Sequence, residues 1–234
     1  MITIKKTGDI ASKRTAMLII GSSGVGKTSL IRSLPDPSSE TLMISLEGGT
    51  ACLKGTDFDI IEVDNKKPIE FMDELYDMLT SKPSEKKYKN IFIDSLTELG
   101  QSILSQLKKD PHYGQAKNAL PMYGKYNEIM TTIVKSYRDM TAYNVFFTCL
   151  DSVEKDGLEK IESVNIPGTA IKNGIRAWFD IVVFYKIYKD EEGTVHRKLI
   201  TSTEESVLAK DRTGVLDAFE EADLGIILSK VLAK

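Results

Sequence analysis

The feature that most constrains this chain is the run Gly21-Ser22-Ser23-Gly24-Val25-Gly26-Lys27-Thr28, followed by Ser29. It satisfies G-x-x-x-x-G-K-[ST] at every position. Its surroundings agree. Residues 16–20 (Ala-Met-Leu-Ile-Ile) are an apolar run of buried-strand character, and the residues after the glycines predict a helix starting at Lys27. In such a turn the glycines let backbone N–H groups face inward around phosphate oxygens, and a helix start adds the positive end of its dipole. The motif therefore predicts a nucleoside triphosphate held by residues 21–29. Lys27 would sit on the β- and γ-phosphates and the Thr28 hydroxyl on Mg²⁺. A dinucleotide turn fits less well, because G-x-G-x-x-G is absent.

The rest of the chain alternates strand and helix patterns. Strands are expected at residues 41–46, 58–63, 90–94 and 144–150. Helices are expected at 68–79, with Ile69, Met72, Leu75, Tyr76 and Leu79 on one face, and at 96–107 and 122–140. Residues 151–174 read as a long loop with a hairpin around 155–157. Residues 180–188 and 195–201 read as antiparallel strands joined by a turn at 190–193, and 224–232 as a closing helix. This order predicts an α/β fold: a mainly parallel twisted sheet flanked by helices, with antiparallel strands near its end. No linker interrupts it, so a single domain over residues 1–234 is expected.

Composition narrows the classes of function. Apolar residues at 41% and charged residues at 28% suit a globular chain and exclude a disordered one. The basic start (Lys5, Lys6, Lys13, Arg14) precedes an apolar run of only about five residues, too short for a signal peptide or for the roughly 20 needed to span a bilayer. The net charge of −3 offers no global attraction for nucleic acid, so any such site must be a local basic patch. Cys52 and Cys149 form no metal spacing, and two histidines exclude a His-rich metal site. A reducing cytoplasm is the expected setting.

A bound triphosphate needs an acid to organise its metal. Asp94 ends the strand Ile91-Phe92-Ile93, as a Walker B aspartate does, and would hold Mg²⁺ with Thr28. Asp94 or Ser95 could also cap the next helix, a compatible role. Two glutamates compete as the group that activates water. Glu98 lies four residues beyond the Walker B strand. Glu47 follows the strand at 42–46 and precedes Gly48-Gly49, at a strand end of the kind that converges on the ligand crevice of an open α/β sheet. Pattern alone leaves them even.

The order P-loop, strand-Glu-Gly-Gly, Phe-Ile-Asp-Ser-Leu-Thr, Phe-Phe-Thr, long loop, Ala-Lys-Asp-Arg-Thr-Gly resembles the RecA-type ATPase core over roughly residues 17–214. It looks most like the small phage-encoded RecA-core proteins of single-strand annealing and recombination. The resemblance implies an ATP hydrolase using Mg²⁺, a catalytic role for Glu47 rather than Glu98, and a polar sensor at Thr148. It also implies that Lys210 and Arg212, in Ala209-Lys210-Asp211-Arg212-Thr213-Gly214, reach a neighbouring subunit's γ-phosphate. The chain has almost nothing before the P-loop strand, which departs from full-length recombinases, so a ring is as open as a filament.

The same resemblance implies two DNA loops after core strands. The first, about 107–126, holds Lys108, Lys109, Lys117 and Lys125 against one acid, Asp110, together with His112, Tyr113, Tyr123 and Tyr126. Lysines neutralise phosphates and aromatic faces stack bases, the usual combination for single strands. Lys108, Lys109, Lys117 and Tyr113 are its candidates. The second is 151–174: its first half is acidic and a poor DNA surface, and its second half, 163–176, carries Lys172 and Arg176 and no acid. The lysines at 82, 86, 87 and 89 read as a solvated turn. The implied partners are single-stranded DNA, further copies of this chain and a phage or host single-strand-binding protein, in the host cytoplasm. The rivals are a nucleotide-gated helicase-loader-type ATPase and a small-molecule kinase.

Overall fold

A computed structural model describes residues 14–81, 87–156, 159–203 and 206–233. The basic start at Lys5, Lys6 and Lys13, the turn lysines Lys82 and Lys86, and the hairpin residue Gly157 lie outside them. Among the described residues ten strands form the sheet: β1 (Ala16–Gly21), β2 (Thr41–Ser45), β3 (Asp59–Glu62), β4 (Asn90–Asp94), β5 (Asn144–Asp156), β6 (Glu159–Val164), β7 (Ile181–Lys189), β8 (Val195–Ile200), β9 (Lys210–Asp211) and β10 (Phe219–Glu221). The helices are α1 (Pro37–Glu40), α2 (Pro68–Ser81), α3 (Leu96–Lys109), α4 (Pro111–Gly114), α5 (Leu120–Arg138), α6 (Thr169–Trp178) and α7 (Leu224–Leu232).

The main sheet runs β10-β8-β7-β1-β5-β4-β2-β3. The six strands from β7 to β3 are mutually parallel, and β6, β8, β9 and β10 are antiparallel to their partners. This is the expected α/β architecture with its antiparallel end. β1 is buried at every position because the sheet is covered on both faces. Leu18 and Ile20 pack into the layer formed with α2, α3, α5 and α6. Met17 and Ile19 pack into the layer formed with the turn after the P-loop and α7. No helix among the described residues is long and apolar enough to cross a membrane.

Three local expectations need correction. The helix expected from Lys27 is a 3-10 helix, Thr28–Ser33, and Pro35 follows its end closely. Residues 151–174 are not a long loop. β5 runs on to Asp156 and pairs with β6, Asp151 opposite Val164, and α6 then buries Ile171 and Ile175. Nor is 107–126 mainly a loop: it holds the end of α3, α4 and the first turns of α5, leaving only 110 and 115–119 outside a helix.

Candidate functional site

The site lies where β1, β2 and β4 end together. Gly21 closes β1, and a Cβ there would meet the Tyr185 carbonyl oxygen at 2.7 Å, so only glycine fits. Gly26 has φ +107°, a conformation that L side chains rarely adopt. The chain then turns so that the Lys27 ammonium donates to the carbonyls of Gly21 (2.8 Å) and Ser22 (2.9 Å). Burial moves the Lys27 pKa below the ordinary lysine value, while the carboxylates of Asp94, Glu47 and Asp151 act in the opposite direction.

Asp94 is buried, and its two oxygens have different partners. One accepts from the Thr28 hydroxyl at 2.5 Å and the other from the Thr148 hydroxyl. The last residue of the P-loop motif, the end of β4 and the middle of β5 therefore meet at one carboxylate. These oxygen donors suit a hard cation such as Mg²⁺, which takes one or two carboxylates and completes its shell with phosphate and water. Among the described residues there is no cluster of three or more His, Cys, Asp or Glu that could hold a metal ion.

The two competing glutamates occupy different settings. Glu47 is exposed just beyond β2, where Ser45 pairs with Asp94 and the Leu46 amide donates to the Asp94 carbonyl at 2.7 Å. Its carboxylate accepts from the Ser95 hydroxyl. Ser95 in turn caps α3, accepting from the Glu98 amide at 3.4 Å. Glu98 lies within α3, where its carboxylate accepts from Ser102 of the same helix at 3.3 Å. Cys149 is buried, and burial pushes its thiol up to about 11.

Several residues at the site were not singled out from sequence. β5 and β7 both continue past the end of β1, so the P-loop sits between two projecting hairpins, β5–β6 and β7–β8. From the first, Asp151 accepts from the Ser22 hydroxyl at 2.7 Å. From the second, Arg197 donates to the Val25 carbonyl at 3.3 Å. Lys186 of β7 pairs with Glu162 of β6 and ties the hairpins together. The available signal for Asp151 was its place: an acid directly after an apolar strand, the feature that marked Asp94.

Lys210 and Arg212 lie away from this chain's own P-loop. β9 pairs with the opening residues of β7, and those residues pair with the opening of β1, at the other end from Gly21. Lys210 donates to the Arg176 carbonyl at 2.9 Å, and Arg212 to the Ala177 carbonyl at 3.0 Å and to Asp180 at 3.3 Å. Both therefore cap the end of α6, where cations are favoured by the helix dipole. Burial and the neighbouring Arg212 charge lower the Lys210 pKa. Arg212 also lines a cavity of about 720 Å³ with Arg14, Arg138, Trp178 and Asp180.

The DNA candidates separate as well. Lys108, Lys109 and Lys117 are exposed, and Tyr113 is half-buried. Tyr126 is fully buried, so it presents no stacking face. Around the cavity beside Tyr113, Lys66, Lys67, Lys109 and Lys125 face Glu70, Asp73, Asp110 and Glu128, so the patch is less basic in space than along the chain. Lys172 pairs with Glu154 of β5. Arg176 is half-buried, with its pKa lowered by burial, and donates to the Glu162 carbonyl at 3.5 Å. These two cations attach α6 to the β5–β6 hairpin and do not form an open basic loop.

No curated protein matches this chain. A family model described as an AAA domain matches residues 13–213, most of the chain and nearly the stretch over which the order of motifs was informative. With the P-loop, the Asp94 carboxylate and the mostly parallel sheet in place, the chain belongs to this AAA-domain family of P-loop ATPases.

Proposed function

We propose that this ATPase is a RecA-like, Mg²⁺-dependent enzyme that binds single-stranded DNA and supports phage recombination or single-strand annealing. The observation that carries the reading is the convergence of Lys27, Thr28, Asp94 and Thr148 beside Glu47, at adjoining strand ends. Thr28 and Asp94 would hold Mg²⁺, which when bound neutralises charge on phosphate oxygens. Lys27 exchanges its two carbonyl partners for phosphate oxygens. Glu47, oriented by the Ser95 hydroxyl, accepts a hydrogen bond from the attacking water and aligns it in line with the scissile bond. Thr148 keeps the Asp94 carboxylate in one rotamer. Lys210 and Arg212 complete the site of a neighbouring copy in a ring or filament.

Lys108, Lys109 and Lys117 neutralise DNA phosphates and Tyr113 stacks on a base. A single-strand-binding protein of the phage or its host is a further partner. The acids beside this patch favour the alternative, a nucleotide-gated ATPase that acts on a protein, as a helicase loader does. The test is ATP turnover with and without single-stranded DNA, alongside particle size, for the wild type and for Lys108, Lys109 and Lys117 changed together to Ala. Stimulation by DNA that the triple variant loses, with a weaker salt dependence of binding, supports the DNA reading. Turnover unchanged by DNA in the wild type overturns it in favour of the protein-directed reading.

A further inference from the structure

The pairing of Ser22 with Asp151 contributes nothing to holding phosphate, and it puts a negative charge against the rim of the phosphate cradle. Register explains the position. Leu150 is the partner of Gly21, so Asp151 is the first residue of β5 beyond the end of β1 and faces the opening of the loop. The Asp151 carboxylate accepts from the Ser22 hydroxyl at 2.7 Å, and the carbonyl of that same Ser22 accepts from the Lys27 ammonium at 2.9 Å. The P-loop lysine serves the β- and γ-phosphates, so its link through Ser22 puts Asp151 beside the end of the cradle that those two phosphates would occupy. Asp151 also joins Asp94 and Glu47 in acting on the Lys27 charge. Asp94 is spoken for by Thr28 and Thr148, and Glu47 by Ser95. Among the described residues the Asp151 carboxylate has the Ser22 hydroxyl as its hydrogen-bond partner.

Resting on the nucleotide reading above, we infer that Asp151 discriminates nucleoside triphosphate from diphosphate. Its carboxylate opposes the third phosphate, so triphosphate binding breaks the Ser22–Asp151 bond and releases the base of the β5–β6 hairpin, whereas diphosphate leaves the bond in place. The release has a route outward. β5 pairs with β6, Glu154 of β5 holds Lys172 of α6, and Glu162 of β6 holds Lys186 of β7. Movement of Asp151 therefore reaches α6 and the β7–β8 hairpin through existing pairs.

The substitution that isolates charge is Asp151→Asn, which keeps the size and an oxygen to accept from Ser22. Affinities for ADP and for the non-hydrolysable analogue adenylyl imidodiphosphate are measured with excess Mg²⁺ for the wild type and Asp151→Asn. Amide hydrogen exchange over residues 152–164 is followed in each state. The variant should bind the triphosphate analogue about three- to tenfold more tightly, the range expected for one charge pair at this degree of exposure, and ADP within about twofold. Exchange over the hairpin should rise on triphosphate binding in the wild type and stay near the ADP level in Asp151→Asn. An unchanged ratio of the two affinities, or equal hairpin exchange with both nucleotides in the wild type, overturns the inference and leaves the nucleotide site standing. A wild type that binds neither nucleotide removes both. Asp151→Ala separates charge from the bond: the same affinity ratio as Asp151→Asn confirms charge as the cause, and a wild-type ratio refutes it.

Discussion

Replacing Lys27 with Met separates the stability of the empty P-loop from its ability to bind. The ammonium makes two hydrogen bonds to carbonyls in a buried position, and its pKa is lowered chiefly by that burial. Bonds from a charged donor contribute about 1.5–3 kcal/mol each, and removing an ammonium from water costs several kcal/mol, so the two nearly cancel. Lys27→Met should therefore unfold, without nucleotide, within about 1 kcal/mol of the wild type, a shift of roughly 2–4 °C in Tm for a domain of this size. Nucleotide separates the proteins. A ligand at 100 times its Kd adds about 2.7 kcal/mol, or roughly 5–11 °C. Losing the charged phosphate contacts, about 3–4 kcal/mol together, raises Kd by about 10²- to 10³-fold, so the same nucleotide concentration should move the variant by less than about 2 °C. The pH dependence has a definite sign. The folded-state pKa of Lys27 lies below its unfolded value, so between the two the unfolded chain binds more protons and stability rises with pH. That rise should disappear in Lys27→Met. The assay is thermal unfolding with and without Mg²⁺ and nucleotide across alkaline pH. A nucleotide shift of several degrees retained in Lys27→Met would refute the assignment of the phosphate seat.

Glu47→Gln should bind nucleotide within a few-fold of the wild type yet turn over about 10²- to 10³-fold more slowly, and Glu98→Gln should turn over near normally; the reverse pattern in single-turnover assays moves the base to α3. Thr148→Val leaves one oxygen of a buried carboxylate without its partner, which should cost about 1–3 kcal/mol by denaturant unfolding and weaken Mg²⁺-dependent nucleotide binding; unchanged values for both would remove Thr148 from the site. Arg212→Ala should bind nucleotide normally and hydrolyse it poorly. Mixed with Lys27→Met under conditions where labelled subunits are seen to exchange, it should regain part of the lost activity, and no recovery would leave Arg212 as a cap of α6 alone.

The strand-to-P-loop sequence was legible because three independent signals agree there: an apolar run, glycines at fixed spacing and a Lys-Thr pair. β4 and α7 begin and end where their patterns do, since each is bounded by a polar residue and buries a continuous apolar face. The β5–β6 hairpin was only partly legible. Beyond Leu150 it projects past the parallel sheet, exposes Val153 and carries charges in place of an apolar alternation. α6 did carry a signal, Ile171, Ile175 and Trp178 at i, i+4 and i+7, obscured by Pro167-Gly168 just before it. The pairing of Lys172 with Glu154 could not be anticipated, because it depends on which face of that hairpin α6 lies against. Glu47 and Asp94 were found separately, and what joins them, the register of β2 on β4, appears only in three dimensions.

The order of strands also governs how the protein comes into being. Ala16 of β1 must wait for Val145, and Met17 for Ile181, before either side of the P-loop strand has a neighbour. Pairings so distant along the chain require closure of long loops and are intrinsically slow. During synthesis β1 therefore emerges well before Val145 and Ile181 and remains without those partners while the residues between are made, a period in which it is open to aggregation or to chaperones. The phosphate seat is accordingly among the last features to mature. Nucleotide binding by nascent chains halted at successive lengths would appear only once β7 has left the ribosome.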